Sequence, residues 1–192
     1  MSVRFDANNS IVTPLGVFII GTYDEKGVPN AMNAAWGIQS DFGEITLFLA
    51  KHKTTDNIEK NGDFTVAFGT VDTVTISDYF GVESGKNVDK IAKAGCHARK
   101  SEAVNAPIIE EYPVTLECKF RSWDPETGML VGQIVGQVAD ESVITDGNID
   151  LDKLRPVIYD SASHSYREIG KVVGKAYSDG LKIKGSRDKW DN

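Results

Sequence analysis

The sequence predicts a mainly β protein, a small antiparallel barrel or sandwich with few, short helices. Three observations lead there. About seven segments are rich in β-branched and aromatic residues or alternate polar with apolar in the manner of strands. The connections between them are turns marked by Gly, Pro, Asn and Asp. Long helical crossovers are missing, which disfavours a doubly wound parallel sheet. Finally, "VTLECKFRSW" and "MLVGQIVGQVAD", joined by "DPETG", read as a β-hairpin.

Taken in order, "VFIIGT" from Val17 to Thr22 is a strand that runs into a turn punctuated by Gly27 and Pro29. "AMNAAWGIQSDFG" reads as one extended segment followed by a turn at Asp41-Phe42-Gly43, and "EITLFLA" is a clear strand. "TTDNIEKNG" is a helix of about two turns: Thr55 or Asp56 is placed to cap it, Glu59 follows Asp56 by three, and Gly62 stops it. "DFTVAFG" is a strand with Phe64, Val66 and Phe68 on one face, and "TVTISDYFG" reads as apolar alternation running into a turn. "VESGKNVDKIAKAG" has helical spacing at Val88, Ile91 and Ala92 and stops at Gly95, while "EAVNAPIIEEYP" reads as a connector. In the hairpin, Val114, Leu116, Cys118 and Phe120 face one way; Gly132 and Gly136 predict bulges or a close approach of another backbone. "NIDLDKLRPVIYDSASHSY" reads as a loop and short turn. The end, "LKIKGSRDKWDN", is polar. A single domain over 1–184 with a polar tail over 185–192 is expected.

Composition limits the function. Charged residues make up 26% and hydrophobic residues 41% of 192 positions, the balance of a globular protein able to bury a core. The net charge of −7 argues against nucleic acid as a partner, because such binding needs a basic surface to displace counterions. No apolar run approaches the ~18 residues of a membrane helix. The N-terminal stretch lacks a basic flank and apolar stretch of a leader, so a cytoplasmic location is expected. Cys96 and Cys118 have no metal-ligand spacing and read as reduced, packed thiols. G-x-S-x-G, H-E-x-x-H, G-x-G-x-x-G and Walker patterns are missing. The sequence thus offers no protein nucleophile and no metal cage, and redox or transfer chemistry would fall to a cofactor.

Two stretches stand out. "LAKHKTTDN" places Lys51, His52 and Lys53 at a strand-to-helix junction, followed by Thr54 and Thr55. A helix N-terminus offers unpaired N–H groups and the positive end of the dipole, so lysines and hydroxyls there suit a phosphate. A solvated basic turn balanced by Asp56 and Glu59 is the other reading. If the strand ran on, Lys51 and Lys53 would share a face and His52 would point away. "GVPNAMNAAWG" combines Asn30, Asn33, the small Ala34 and Ala35, and Trp36. That composition lets a flat ligand approach the backbone, or builds a tight turn with a core tryptophan. Cys96–His97 adjacency is weak grounds for a catalytic pair. His164, near Tyr159 and Tyr166, either lines a pocket or sits in a surface loop.

The order of "GVPNAMNAAW", "LAKHKTTDNIEKNGDFTVAF", "SDYFGVESGKNVDKIAKAG" and "APIIEEYPVTLECKF" resembles the flavin reductase-like family of FMN-binding split β-barrels, with the flavoredoxin type most similar. The resemblance spans about Thr13 to Gly180 and rests on the order and spacing of these landmarks. It implies a six-stranded antiparallel Greek-key barrel with short peripheral helices, and a homodimer with FMN near the subunit interface. It implies Asn33, Ala34, Ala35 and Trp36 along the flavin and ribityl chain. It places Ala50, Lys51, His52, Lys53, Thr54 and Thr55 around the phosphate, with Asn57 nearby, and Lys90, His164 and Tyr166 as further pocket residues. Family members often carry an acidic or polar residue between the lysine and the threonine; here that place is taken by Thr54. The implied activity is hydride transfer from NADH or NADPH to flavin N5 and on to free flavin or another small acceptor. An electron carrier with a protein redox partner, or a flavin-binding barrel without reductase activity, are the alternatives.

Overall fold

A computed structural model describes residues 2–4, 6 and 11–184. The chain runs β1 (Leu15–Gly16), β2 (Phe18–Tyr23), β3 (Pro29–Ala34), β4 (Gly37–Asp41), β5 (Glu44–Phe48), α1 (Lys53–Asn61), β6 (Asp63–Phe68), α2 (Val74–Val82) and α3 (Lys90–Lys93). It continues through β7 (Ala98–Lys100), β8 (Pro107–Ile109), β9 (Val114–Trp123), β10 (Met129–Ala139), β11 (Ile144–Thr145), β12 (Asn148–Ile149), α4 (Leu151–Leu154), β13 (Val157–Asp160), β14 (Ser165–Glu168) and α5 (Leu181–Lys184).

Seven strands form one antiparallel sheet in the order β3-β2-β6-β9-β10-β5-β4. Its two edges, β3 and β4, are neighbours in the chain, joined by Ala35 and Trp36 but not hydrogen-bonded as a ladder. The sheet curls into a half-barrel split at that seam. The expected count of six strands is therefore corrected to seven. "AMNAAWGIQS" reads as one extended run, but it breaks at Ala35–Trp36 into strands that lie at opposite edges.

Side-chain alternation explains how both faces of the central strands become buried. On one face Phe18, Ile20, Leu47, Phe64, Val66, Leu116, Cys118 and Leu130 form a core, with Phe68 and Phe120 packed against it. On the other, Ile19, Ala31 and Ala67 meet Phe80 of α2, Ile91 of α3 and Tyr112. Each fully buried side chain of the size of Phe64 or Leu47 contributes roughly 1.5–3 kcal/mol. Gly132 and Gly136 lie at register shifts between β9 and β10. The bulges are as expected; the close approach is not of another backbone but of side chains, since a Cβ at Gly132 would strike the Phe64 ring and one at Gly136 the Glu117 carboxylate.

Three expectations change. Residues 74–82 form a helix, not alternation leading to a turn. Thr70 and Thr73 exchange hydroxyl and amide bonds at its start (Thr70 N–H to Thr73 Oγ1, 2.9 Å), and Ser77 and Phe80 then bury at helical spacing. β-branched Val74, Thr75 and Ile76 give the run a strand-like look that tertiary packing overrides. The connector 102–113 contributes β8, which pairs with β7. The α1 cap is His52, not Thr55 or Asp56; Gly62 ends the helix as expected, in the left-handed region at φ 73°. The expected polar tail at 185–192 lies outside the described residues.

Candidate functional site

The junction between β5 and α1 is held rigidly before it presents its basic residues. At Leu49 the N–H donates to the Gly128 carbonyl (2.8 Å) and the carbonyl accepts from Trp123 Nε1 (3.1 Å). Strand pairing has already ended at Phe48, so Ala50, Lys51 and His52 are not extended ladder residues. Thr55 is fully buried and turns back: its Oγ1 accepts the His52 N–H (2.8 Å) and donates to the His52 carbonyl (2.9 Å). Asn57 is also buried and anchors α1 to β2 by donating to Thr22 Oγ1 (3.0 Å). Thr55 and Asn57 therefore shape the helix entrance from behind.

The entrance opens into a cleft of about 320 Å³. Asn30, Met32 and Asn33 of β3 line one side; Lys51, His52, Lys53 and Thr54 line another; the end of α2, the Ser84–Lys86 loop and Lys90 close it. The three basic residues thus share one cleft instead of splitting between two strand faces, because the chain leaves the strand before them. The first intrahelical bond of α1 is from the Asp56 N–H to the His52 carbonyl (3.0 Å). The N–H groups of Lys53 and Thr54 consequently have no intrahelical acceptor, at the positive end of the dipole.

The cations differ in availability. Lys53 Nζ donates to the Gly85 carbonyl (3.1 Å) and pairs with Asp24 (3.5 Å), so it ties the Ser84–Lys86 loop to the first turn. Lys51 is exposed and has no ion pair among the described residues. Lys90 is 5% exposed; its Nζ donates to the Phe80 carbonyl (2.9 Å) near the end of α2. Burial pushes its ammonium down to about 8; Glu83 opposes that shift and Lys53 reinforces it. Thr54 Oγ1 accepts from Asn30 Nδ2 (3.0 Å), which leaves its own proton for another acceptor. A second cleft of about 200 Å³ adjoins the first and shares Asn30, Lys53, Gly85, Lys86 and Lys90.

Asn33 links the cleft to the C-terminal hairpin. Its Nδ2 donates to the Ser77 carbonyl (2.9 Å) and toward Tyr166 Oη (3.4 Å), and Tyr166 donates to Asp78 (2.9 Å). Burial, then the Asp78 carboxylate, push the Tyr166 phenol up to about 12. His164 bonds to Tyr159 Oη (2.9 Å) one step further out. Ala34, Ala35 and Trp36 do not line the cleft; they form the seam between β3 and β4. Trp36 is 63% exposed, and its carbonyl accepts the Phe48 N–H (2.8 Å). Lys86, Ser84 and Gly85 join the cleft without having been expected there. The Ser-Gly-Lys run is the one signal for them: a Cβ at Gly85 would collide with the Asn30 amide, so the loop approaches β3 closely.

A family model described as "Flavin reductase like domain" matches residues 11–165. The chain belongs to the flavin reductase-like family. Among solved structures, this flavin reductase-like chain is similar to flavoredoxin of Desulfovibrio vulgaris (Miyazaki F), with 33% identity, a TM-score of 0.89, and 94% of this chain and 100% of that one covered. Flavoredoxin from Methanosarcina acetivorans matches at 26% identity and TM-score 0.86 over 95% and 99% of the two chains. An FMN-binding domain of a flavin reductases-like enzyme from Shewanella baltica OS155 shares the fold, at 23% identity and TM-score 0.74 over 83% and 89%. The architecture is that of the FMN-binding split barrels, and the family supports a flavin-related oxidoreductase role.

Proposed function

We propose that the chain binds FMN in the α1 cleft and works as a flavin-dependent oxidoreductase. The observation that carries this reading is the meeting of unpaired α1 N–H groups, the unengaged Lys51 and the Thr54 hydroxyl at one end of a cleft. These residues fit a phosphate dianion: positive charge, directed donors and a helix dipole in one small volume. Lys51 supplies charge and Thr54 a hydroxyl donor, while Lys53 acts through the loop that it holds. Lys90 adds a partly dehydrated ammonium deeper in the cleft, where charge interacts more strongly than in water. Asn33, with Ser77 and Tyr166 behind it, presents an amide at the far side for the ribityl chain or ring edge. Ala34, Ala35 and Trp36, at the open seam, are placed to meet the ring system where a second copy would close it, consistent with a homodimer.

FMN held by Lys51, Thr54 and the α1 N–H groups would supply the redox chemistry, a flavin reductase activity with NADH or NADPH as donor and free flavin or another small molecule as acceptor. The protein residues bind, orient and exclude water, and none of them needs to act as nucleophile. Residues 1–184 then form one flavin-binding domain of a cytoplasmic protein. The similarity to two flavoredoxins favours a second reading, an electron carrier that serves a protein redox partner. An absorbance spectrum of the purified protein, then anaerobic NADH or NADPH, tests both. Flavin bands that bleach rapidly support the reductase; bands that bleach only with a chemical reductant support the carrier. A colourless protein that fails to bind added FMN contradicts the two together.

A further inference from the structure

After β14 the chain continues as an arm, residues 169–184; the Ile169 N–H donates to the Pro156 carbonyl (3.4 Å), and backbone bonds such as Asp179 N–H to the Lys175 carbonyl (3.0 Å) run within the arm. Along it Val172, Val173, Tyr177 and Ile183 are 82–102% exposed. The body of the same chain carries an unfilled apolar groove of about 520 Å³. Val17, Phe18, Phe68, Leu154 and Val157 line it, and Gln137 is its only polar side chain among the described residues. The arm departs from the rim of this groove at Ile169, 46% exposed, opposite Leu151, 55% exposed.

We propose that the arm is exchanged between two copies of this chain, each laying its apolar residues into the apolar groove of the other. Contiguous exposed apolar surface on a folded protein marks a contact, and here the two uncovered surfaces belong to one sequence. A two-fold exchange buries both at once and leaves no open end. Charge agrees with that pairing. The arm carries Lys171, Lys175, Lys182 and Lys184 against Asp179, in a chain of net charge −7. At the groove rim Asp150 and Asp152 alternate with Ile149 and Leu151. Lys153 and Arg155 share that edge but are engaged, Lys153 with the Ile144 carbonyl and Arg155 with Glu168 and Asp72, and Asp150 caps α4, so Asp152 is the rim charge that meets the basic arm. This contact does not depend on the flavin reading.

Sedimentation equilibrium on the full chain and on three variants tests the proposal. One variant ends at Glu168, one carries Val172→Asp with Val173→Asp, and one carries Leu151→Asp. The substituted residues Val172, Val173 and Leu151 are exposed, and far-UV circular dichroism with thermal unfolding checks that each variant remains folded. The full chain is expected to be a dimer, and each variant to weaken it about tenfold or more. A monomeric full chain, a dimer unchanged by the arm variants, or an effect confined to only arm or only groove overturns the exchange.

Discussion

At the scale of single residues, the basic cluster divides into three roles. Lys51 is the free charge at the α1 entrance. Lys51→Ala should raise the FMN dissociation constant about tenfold, the value of one charge-assisted hydrogen bond. The loss should be greater at low than at high salt, since exposed charges are screened; fluorescence titration at two ionic strengths measures it. Lys53→Ala should weaken binding less directly, by freeing the Gly85 carbonyl and Asp24. Lys90 carries a pH signature. Its folded value of about 8 lies below the ordinary 10.5, so between those values the unfolded chain holds a proton that the folded chain has released. Stability from this group therefore rises as pH climbs through 8. Lys90→Met should remove that slope in urea unfolding followed against pH. Bound FMN phosphate favours the ammonium, so wild-type FMN affinity should fall as pH rises above about 8.

At the scale of elements, α1 is the part whose local chemistry matters most. Thr55 closes its first turn on His52, and Thr55→Ala should cost about 1 kcal/mol in chemical unfolding, as lost helix caps do. In the barrel wall, Gly132→Ala forces a methyl group against the Phe64 ring and should cost about 1–3 kcal/mol by overpacking. The strands flanking these positions were legible in the sequence, because large apolar residues alternate with small or polar ones at Phe64–Phe68 and Val114–Phe120, the period of a pleat, even though both faces are buried. The helix at 74–82 was not legible. Its first turn, Val74, Thr75 and Ile76, is β-branched, and the contacts that decide it, Ser77 with Tyr112 (3.0 Å) and Phe80 in the second core, come from distant segments. His52 as cap was equally hidden, since its role is set by where β5 is pinned through Leu49.

At the scale of the whole molecule, much of the cleft was legible as a cluster, and its division of labour was not. Lys51, His52, Lys53 and Thr54 do converge, with Asn33 and Lys90 facing them. That Thr55 and Asn57 face inward depends on Thr22 and on the turn at His52, which no local pattern encodes. Ser84–Lys86 enters only because Gly85 can approach Asn30. The same scale governs the split seam: Ala34, Ala35 and Trp36 lie where β3 and β4 part and not among the residues that line the cleft. Phosphate recognition at the α1 entrance is the claim on which the functional reading turns. The measurement that tests it most directly compares FMN and riboflavin, which differ by the phosphate alone, in parallel fluorescence titrations of wild type and Lys51→Ala. FMN should bind wild type about a hundredfold more tightly than riboflavin, as two charge-assisted hydrogen bonds imply, with the preference reduced in the variant. Equal affinity for the two flavins, or an unchanged preference in Lys51→Ala, would contradict the assignment.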